Sequence, residues 1–344
     1  MRPQVLAANQ PLDRFYAGGR QIAKFRGEPP IARNVPEDWV ASTTTLFGET
    51  QVGLSRLPSG ELLVDAVGRD PLAWLGSEHV EAFGEDTSLL VKLLDAGERL
   101  PVHAHPDVSF SQEHLALRHG KTEAWVFLEP ALVHVGFRRD VAKAELAAWV
   151  EEQDTEAMLA TMHVLTVERG DAVLVPAGLP HAIGEGAFLV ELQEPTDLSI
   201  LIEWTGFAVD GRSVGHLGLG FGTALDAVDR RRWSDRAIEG LRGARADETG
   251  DLLPAASEFF RAERSRGHVE WEAGYAILVV VAGEGELVAD DLEHGYHDHA
   301  AQRVPLRPGQ TVVVPFAAGP CRVDGGPDLE VLRCRPPHTA RRAA

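Results

Sequence analysis

The chain runs to 344 residues and 37.3 kDa, long enough for two packed domains, and 52 Asp and Glu against 33 Lys and Arg leave a net charge of −19. With 44% hydrophobic and 25% charged residues the composition is that of a globular protein, and no apolar run approaches the roughly 20 residues that span a bilayer, so neither disorder nor membrane insertion is expected. A pI near 5.1 repels phosphate backbones, and the tight basic runs, Arg230-Arg231-Arg232 in an expected helix and Arg341-Arg342, read as solvated surface, which argues against a nucleic-acid partner.

In chain order, residues 1–10 hold one Arg and no apolar block of signal-peptide length, so the cytosol is the expected compartment. Short apolar runs between turn residues predict strands over 88–94 and 124–127. Ala, Leu and Glu at helical spacing predict a helix around 141–160, and further strands follow over 163–167, 172–175, 187–192 and 199–204. Leu225, Val228, Ile238 and Leu241 among Asp and Arg predict a second helix around 222–241. Residues 242–262 open on a polar stretch that loses periodicity and read as a linker, after which strands return over 276–281 and 311–314. The class expected is mainly β: two β-sandwich units, 1–241 and 263–344, with flanking helices. Gly170-Asp-Ala-Val-Leu-Val-Pro176 and Gly309-Gln-Thr-Val-Val-Val-Pro315 share a pattern that suggests two copies of one unit, the second without the chemistry of the first. Cys321 and Cys334, with no C-x-x-C, are expected to be plain buried thiols.

The chemistry concentrates in three segments. His103 and His105 stand two apart, and on a strand such residues project from one face, so they can hold one ion. In Gly120-Lys121-Thr-Glu123-Ala-Trp125 the alternation puts Lys121, Glu123, Trp125 and Phe127 on one face, with Glu123 as an oxygen ligand. After Gly170-x5-Pro176-x-Gly178 a turn brings His181 back across the sheet. Three imidazoles and one carboxylate suit Zn²⁺ first, with Mn²⁺, Fe²⁺ or Ni²⁺ also compatible. His294, His297 and His299 fall in a polar stretch and read as a solvated loop, and the Pro315 turn, followed by Phe316-Ala-Ala-Gly-Pro320, offers no histidine, so no metal is expected in the second unit.

These residues resemble the cupin superfamily and, more closely, the type I phosphomannose isomerases (mannose-6-phosphate isomerases). That family carries a (Q/H)-x-H-P-D segment, a G-K-x-E segment and a P-A-G-x-x-H-A segment in this order. Here they are His103-Ala-His105-Pro106-Asp107, Gly120-Lys121-Thr122-Glu123 and Pro176-Ala-Gly178-Leu-Pro-His181-Ala182. Glu191-Leu-Gln193-Glu-Pro-Thr196-Asp197 is similar to its E-x-Q-x-x-S-D, and Tyr16-Ala-Gly18-Gly19 and Glu37-Asp-Trp39-Val-Ala-Ser42 to its N-terminal pieces. The resemblance implies two jelly-roll sandwiches, the second degenerate, and a metal-dependent aldose–ketose isomerase acting on a sugar or sugar phosphate through a cis-enediol. The proton carrier is then Lys121 or Glu191, either of which burial and neighbouring charge can tune.

Several positions depart from the family pattern: Glu185 where the cupin motif has Asn, His103 where the isomerases have Gln, Pro101 where they have Ser, and Leu201 where they have Arg. Arg20, Arg138 and His216 are basic residues from other segments that can fill the gap at Leu201, and spacing selects none of them. The departures leave room for an epimerase, lyase or oxygenase on the same metal site, or for a sugar-binding protein without turnover.

Overall fold

The computed structural model describes residues 1–289 and 302–339; His294, His297 and His299 lie outside the described residues. Four antiparallel sheets form two sandwiches. In the first sandwich, one sheet runs in the order Glu37–Val40, Leu90–Asp95, Phe188–Gln193, Glu123–Phe127, Ala172–Val175. Its partner runs Ile200–Leu201, His103–Ala104, His181–Ile183, Ala131–Phe137, Met162–Val167. Trp125, Phe127, Val173 and Leu189 of one meet Val133, Val135, Leu165 and Ile183 of the other in a single buried cluster. The second sandwich sets a six-stranded sheet (Gln4–Leu6, Thr311–Val314, Ala276–Ala282, Glu330–Arg335, Arg261–Arg266, Gly250–Asp251) against a four-stranded one (Val269–Trp271, Cys321–Gly325, Gly285–Ala289, Gln302–Leu306).

The sequence pattern of each strand follows from what covers it. Ala276–Ala282 is an unbroken apolar run because both faces are buried: Ala276, Leu278 and Val280 point into the second sandwich, Ile277, Val279 and Val281 away from it. Those outward residues meet Val91, Leu93, Val126 and Val190 from the outer face of the first sandwich, so the two sandwiches share a core. Short helices at Leu63–Arg69 and Pro71–Leu75 add Leu63, Val67, Trp74 and Leu75 to it. By contrast Leu132 and Val164, on the neighbouring strands Ala131–Phe137 and Met162–Val167 at one end of their sheet, are 52% and 55% exposed, and those strands alternate.

The strands expected at 124–127, 163–167, 172–175, 276–281 and 311–314 form within a residue at either end, while that at 199–204 shrinks to Ile200–Leu201. The helix expected around 141–160 is two, Lys143–Glu152 and Thr155–Thr161, split where Gln153 takes a left-handed φ of 54° and Asp154 caps the second helix by accepting from Ala157 N. That expected around 222–241 is not continuous. Phe221–Ala224 and a 3-10 turn at Leu225–Ala227 are separated from Asp235–Glu239 by a loop in which Asp229 accepts from Arg231 N and Trp233 Nε1. Arg230, Arg231 and Arg232 lie in that loop rather than in a helix. The apolar residues are buried as expected but serve two cores: Leu225 and Val228 pack with Phe137 and Leu146, Ile238 and Leu241 with Trp125 and Val173. Cys321 and Cys334 are buried thiols not joined in a disulfide, and no helix among the described residues is long and apolar enough to cross a membrane.

Candidate active site

The site lies between the two sheets of the first sandwich. His103 and His181 pair directly across neighbouring strands, with ring centroids 4.1 Å apart, and His105 follows two residues on. The three segments are locked together by main chain: Gly178 N donates to His105 O at 2.7 Å and Lys121 N to Pro106 O at 2.9 Å. Two glycines are required for this. Gly178 has a φ of +85°, and a Cβ on Gly120 would lie 2.6 Å from the carbonyl carbon of Asp107.

Each imidazole is held in one tautomer. The Nδ1 atoms lie 2.8 Å from Pro101 O (His103), 2.7 Å from Leu198 O (His105) and 2.8 Å from Leu179 O (His181). A carbonyl only accepts, so Nδ1 carries the proton and each Nε2 presents a lone pair. The ligand atoms of all three lie within 4.8 Å of one another. From the facing sheet Glu123 approaches His105 Nε2 at 3.1 Å and His181 Nε2 at 3.3 Å, and His181 Nε2 is buried without a hydrogen-bond donor. Lone pairs facing lone pairs at these distances, out of water, fit a cation between them. The Lys121 ammonium supplies part of that charge, donating to Glu123 Oε2 at 2.6 Å and lying 3.0 Å from His105 Nε2, while Trp125 Nε1 donates to Glu123 Oε1 at 3.0 Å.

Electrostatics keeps the donor set ready. Burial and the neighbouring imidazoles hold His103 well below its ordinary pKa, and burial with the adjacent Lys121 lowers His105 to about 3, so both are neutral imidazoles at neutral pH. Burial alone would raise Glu123, but Lys121 and His105 outweigh it and keep the carboxylate ionised. Glu191, on Phe188–Gln193, goes the other way: burial and the charge of Glu123 raise its pKa. Its Oε2 lies 3.5 Å from Lys92 Nζ, an ion pair too long for a good hydrogen bond, and is otherwise unpartnered among the described residues.

A cavity of about 240 Å³ opens over His103, Lys121 and Glu191, so the sequence-expected residues are brought together. Arg14, Glu37, Lys92 and Asp197 also line it. The remaining wall is largely apolar, Leu100, Pro101, Ile183, Leu201 and Leu217 among it. A larger hollow of about 740 Å³, bordered by Asp107, Glu113 and Asp226, includes none of the three imidazoles. Sequence reasoning did not assign Lys92 or Arg14. Lys92 had a signal: it is the lone cation in an apolar run, Leu89-Leu-Val-Lys-Leu-Leu94, and such a charge is buried only for a partner. Arg14 had none. Arg20, Arg138 and His216 do not line the cavity; Arg138 bonds Ala160 O at the surface and His216 Nδ1 accepts from Gly220 N.

No protein-family model matches the chain. It is 32% identical over 254 residues to the mannose-6-phosphate isomerase ManA of Bacillus subtilis, covering 70% of this chain and 73% of that one. It is 29% identical over 273 residues to the mannose-6-phosphate isomerase of Streptococcus mutans, covering 76% and 79%. Among solved structures, a putative mannosephosphate isomerase from Archaeoglobus fulgidus superposes with a TM-score of 0.74 over 98% of both chains at 17% identity. The mannose 6-phosphate isomerase of Bacillus subtilis does so with 0.68 over 97% of this chain and 100% of that chain at 21% identity. At such identities these superpositions speak for the fold.

Proposed function

The chain belongs to the mannose-6-phosphate isomerase family, and from that premise we propose that it interconverts mannose 6-phosphate and the matching 2-ketose, fructose 6-phosphate. The observation that carries the reading is the convergence of three tautomer-locked imidazoles and Glu123 beside Lys121 and Glu191 at one cavity.

His103, His105, His181 and Glu123 are the residues that would hold a divalent cation, zinc first among Zn²⁺, Mn²⁺, Fe²⁺ and Ni²⁺ for an imidazole-rich set. When bound, such an ion supplies Lewis-acid stabilisation of negative charge on the sugar oxygens. It also suits the charge balance: Arg14, Lys92 and Lys121 face the four carboxylates Glu37, Glu123, Glu191 and Asp197, and two further positive charges favour an anionic substrate.

Between the two candidates for proton carrier, the surroundings favour Glu191. Lys121 is committed to Glu123 and His105, whereas Glu191 has an oxygen without a hydrogen-bond donor, 3.5 Å from Lys92 Nζ, and a raised pKa. Its carboxylate takes the proton from C2 of the aldose while O1 takes one from solvent to become a hydroxyl, leaving the cis-enediol, and it returns the carbon proton to C1 while O2 releases its own to solvent, so no proton is gained or lost overall. Lys121 orients Glu123 and lends positive charge to the site.

The test is to load the purified protein with Zn²⁺ and incubate it with mannose 6-phosphate in D₂O. Fructose 6-phosphate should appear and deuterium enter at the reacting carbons. Binding of the sugar with neither, at full metal content, would leave a sugar-binding protein in place of the enzyme.

A further inference from the structure

Arg14 stands apart from the catalytic groups in a way that gives it a purpose. Its Nε donates to Glu37 Oε1 at 3.2 Å, and no described residue accepts from its two terminal NH₂ groups. Glu37 is itself saturated: Tyr16 OH donates to it at 2.5 Å and Trp39 Nε1 at 2.7 Å, and Lys92 Nζ lies 3.7 Å away. The carboxylate therefore fixes the guanidinium through one nitrogen and has no lone pair aimed at the rest of the fork. The side chain is only 12% exposed and it lines the cavity, so the free edge faces the space the substrate enters.

A planar pair of N–H donors with no partner, largely shielded from water, is the arrangement that takes a carboxylate or phosphate through two parallel hydrogen bonds. Position decides which part of the substrate it meets. Arg14 is linked to Glu191 through Glu37 and Lys92, with the charge of Asp197 also acting on it, and it makes no ion pair or hydrogen bond with any of the three imidazoles, Glu123 or Lys121. The reacting carbons must lie at those groups, so Arg14, which touches none of them, meets a part of the sugar away from C1 and C2. We propose that the free guanidinium edge of Arg14 is the recognition site for the substrate's phosphate, set in place by Glu37. The assignment rests on the isomerase reading for the orientation of the sugar, and on Arg14's own contacts for the anion.

The measurement is the ratio of kcat/KM on mannose 6-phosphate to that on mannose, in the wild type, Arg14→Gln and Arg14→Lys. The ratio should fall about a hundredfold in Arg14→Gln, mainly through KM, and by less in Arg14→Lys, which keeps the charge but loses the fork. An unchanged ratio, whether both sugars suffer equally or neither does, overturns the proposal. A calorimetric titration with inorganic phosphate provides a reading independent of turnover. Binding weakened about tenfold or more in Arg14→Gln at equal metal content supports the site, and equal affinity in the two proteins rejects it. If the wild type isomerises neither sugar, the isomerase reading fails and the titration alone decides Arg14.

Discussion

The two sandwiches begin from the same short text and end differently. In the first, Ala172–Val175 runs into Pro176 and Gly178, whose left-handed φ turns the chain so that His181 opens the next strand opposite His103. In the second, Thr311–Val314 runs into Pro315, a 3-10 turn at Phe316–Ala318, Gly319 and Pro320, and the next strand opens on the buried thiol of Cys321. The interiors differ accordingly. Leu278, Val280, Leu287, Val312, Val323 and Val331 fill the second with hydrocarbon, while the first holds Lys92, Lys121, Glu123, Glu191 and the imidazoles out of water. Buried charge contributes little net stability even when paired, whereas apolar burial contributes about 25 cal/mol per Å². The comparison teaches a division of labour: the second sandwich is filled with hydrocarbon, while the first surrounds its polar interior with the shared core and apolar clusters of its own.

The comparison breaks most visibly at the third imidazole. His181→Ala should reduce bound metal from one ion per chain to none and lower activity by about a thousandfold or more, since several kcal/mol of charge stabilisation are lost. Pro320→His, which places an imidazole at the corresponding turn of the second sandwich, should leave metal at one per chain, because a single added imidazole completes no set like His103, His105 and His181, the only such group among the described residues. Elemental analysis of both variants checks this, and undiminished metal in His181→Ala would sink the site.

A smaller effect sharpens the role of the polar interior. Glu191→Gln should lower kcat by about 10²–10⁴-fold with metal content unchanged. The sign of the pH dependence follows from the raised pKa: only the ionised carboxylate accepts a proton, so the wild-type rate falls as pH drops through the Glu191 pKa. That limb should sit above the ordinary carboxylate range and vanish in the variant's pH–rate profile.

The smallest change tests the shared core. Ile277→Ala, far from the cavity, should cost about 2–5 kcal/mol in a urea melt. Because Ile277 packs against both sandwiches, near-UV and far-UV signals should still lose structure together; separate transitions would show that the halves are independent.

Much of this was legible because strands with covered faces and turn residues announce themselves. The runs at 172–175, 276–281 and 311–314 needed only apolar continuity and a flanking Gly and Pro. His103, His105, Glu123 and His181 were readable since strand alternation fixes which side chains share a face, and the fold had only to bring the strands together. Leu63–Arg69, Pro71–Leu75 and Ser77–Phe83 were missed because each is about two turns or less, too short for helical periodicity to rise above noise. Only Asp70, which caps the second of them, followed by Pro71, gave a local sign. The region 222–241 misled for a different reason: its apolar residues serve two clusters, and their spacing matched one helix by coincidence. Arg14 could not be found at all, since its use depends on a carboxylate more than twenty residues away.

Gln4–Leu6, the first strand of the chain, pairs with Thr311–Val314 in the sheet built otherwise from residues 250–335. The polypeptide thus leaves that sheet at once, builds the whole of the catalytic half, and only then returns to lay Thr311–Val314 beside its first strand. Cutting between residues 242 and 249 would free neither piece cleanly: the C-terminal fragment would expose the backbone of Thr311–Val314 as a sticky margin, open to any stray strand, including one from another molecule. The short N-terminal segment is accordingly a guard against self-association, and fusions or truncations at that end should be judged first by whether they leave it seated.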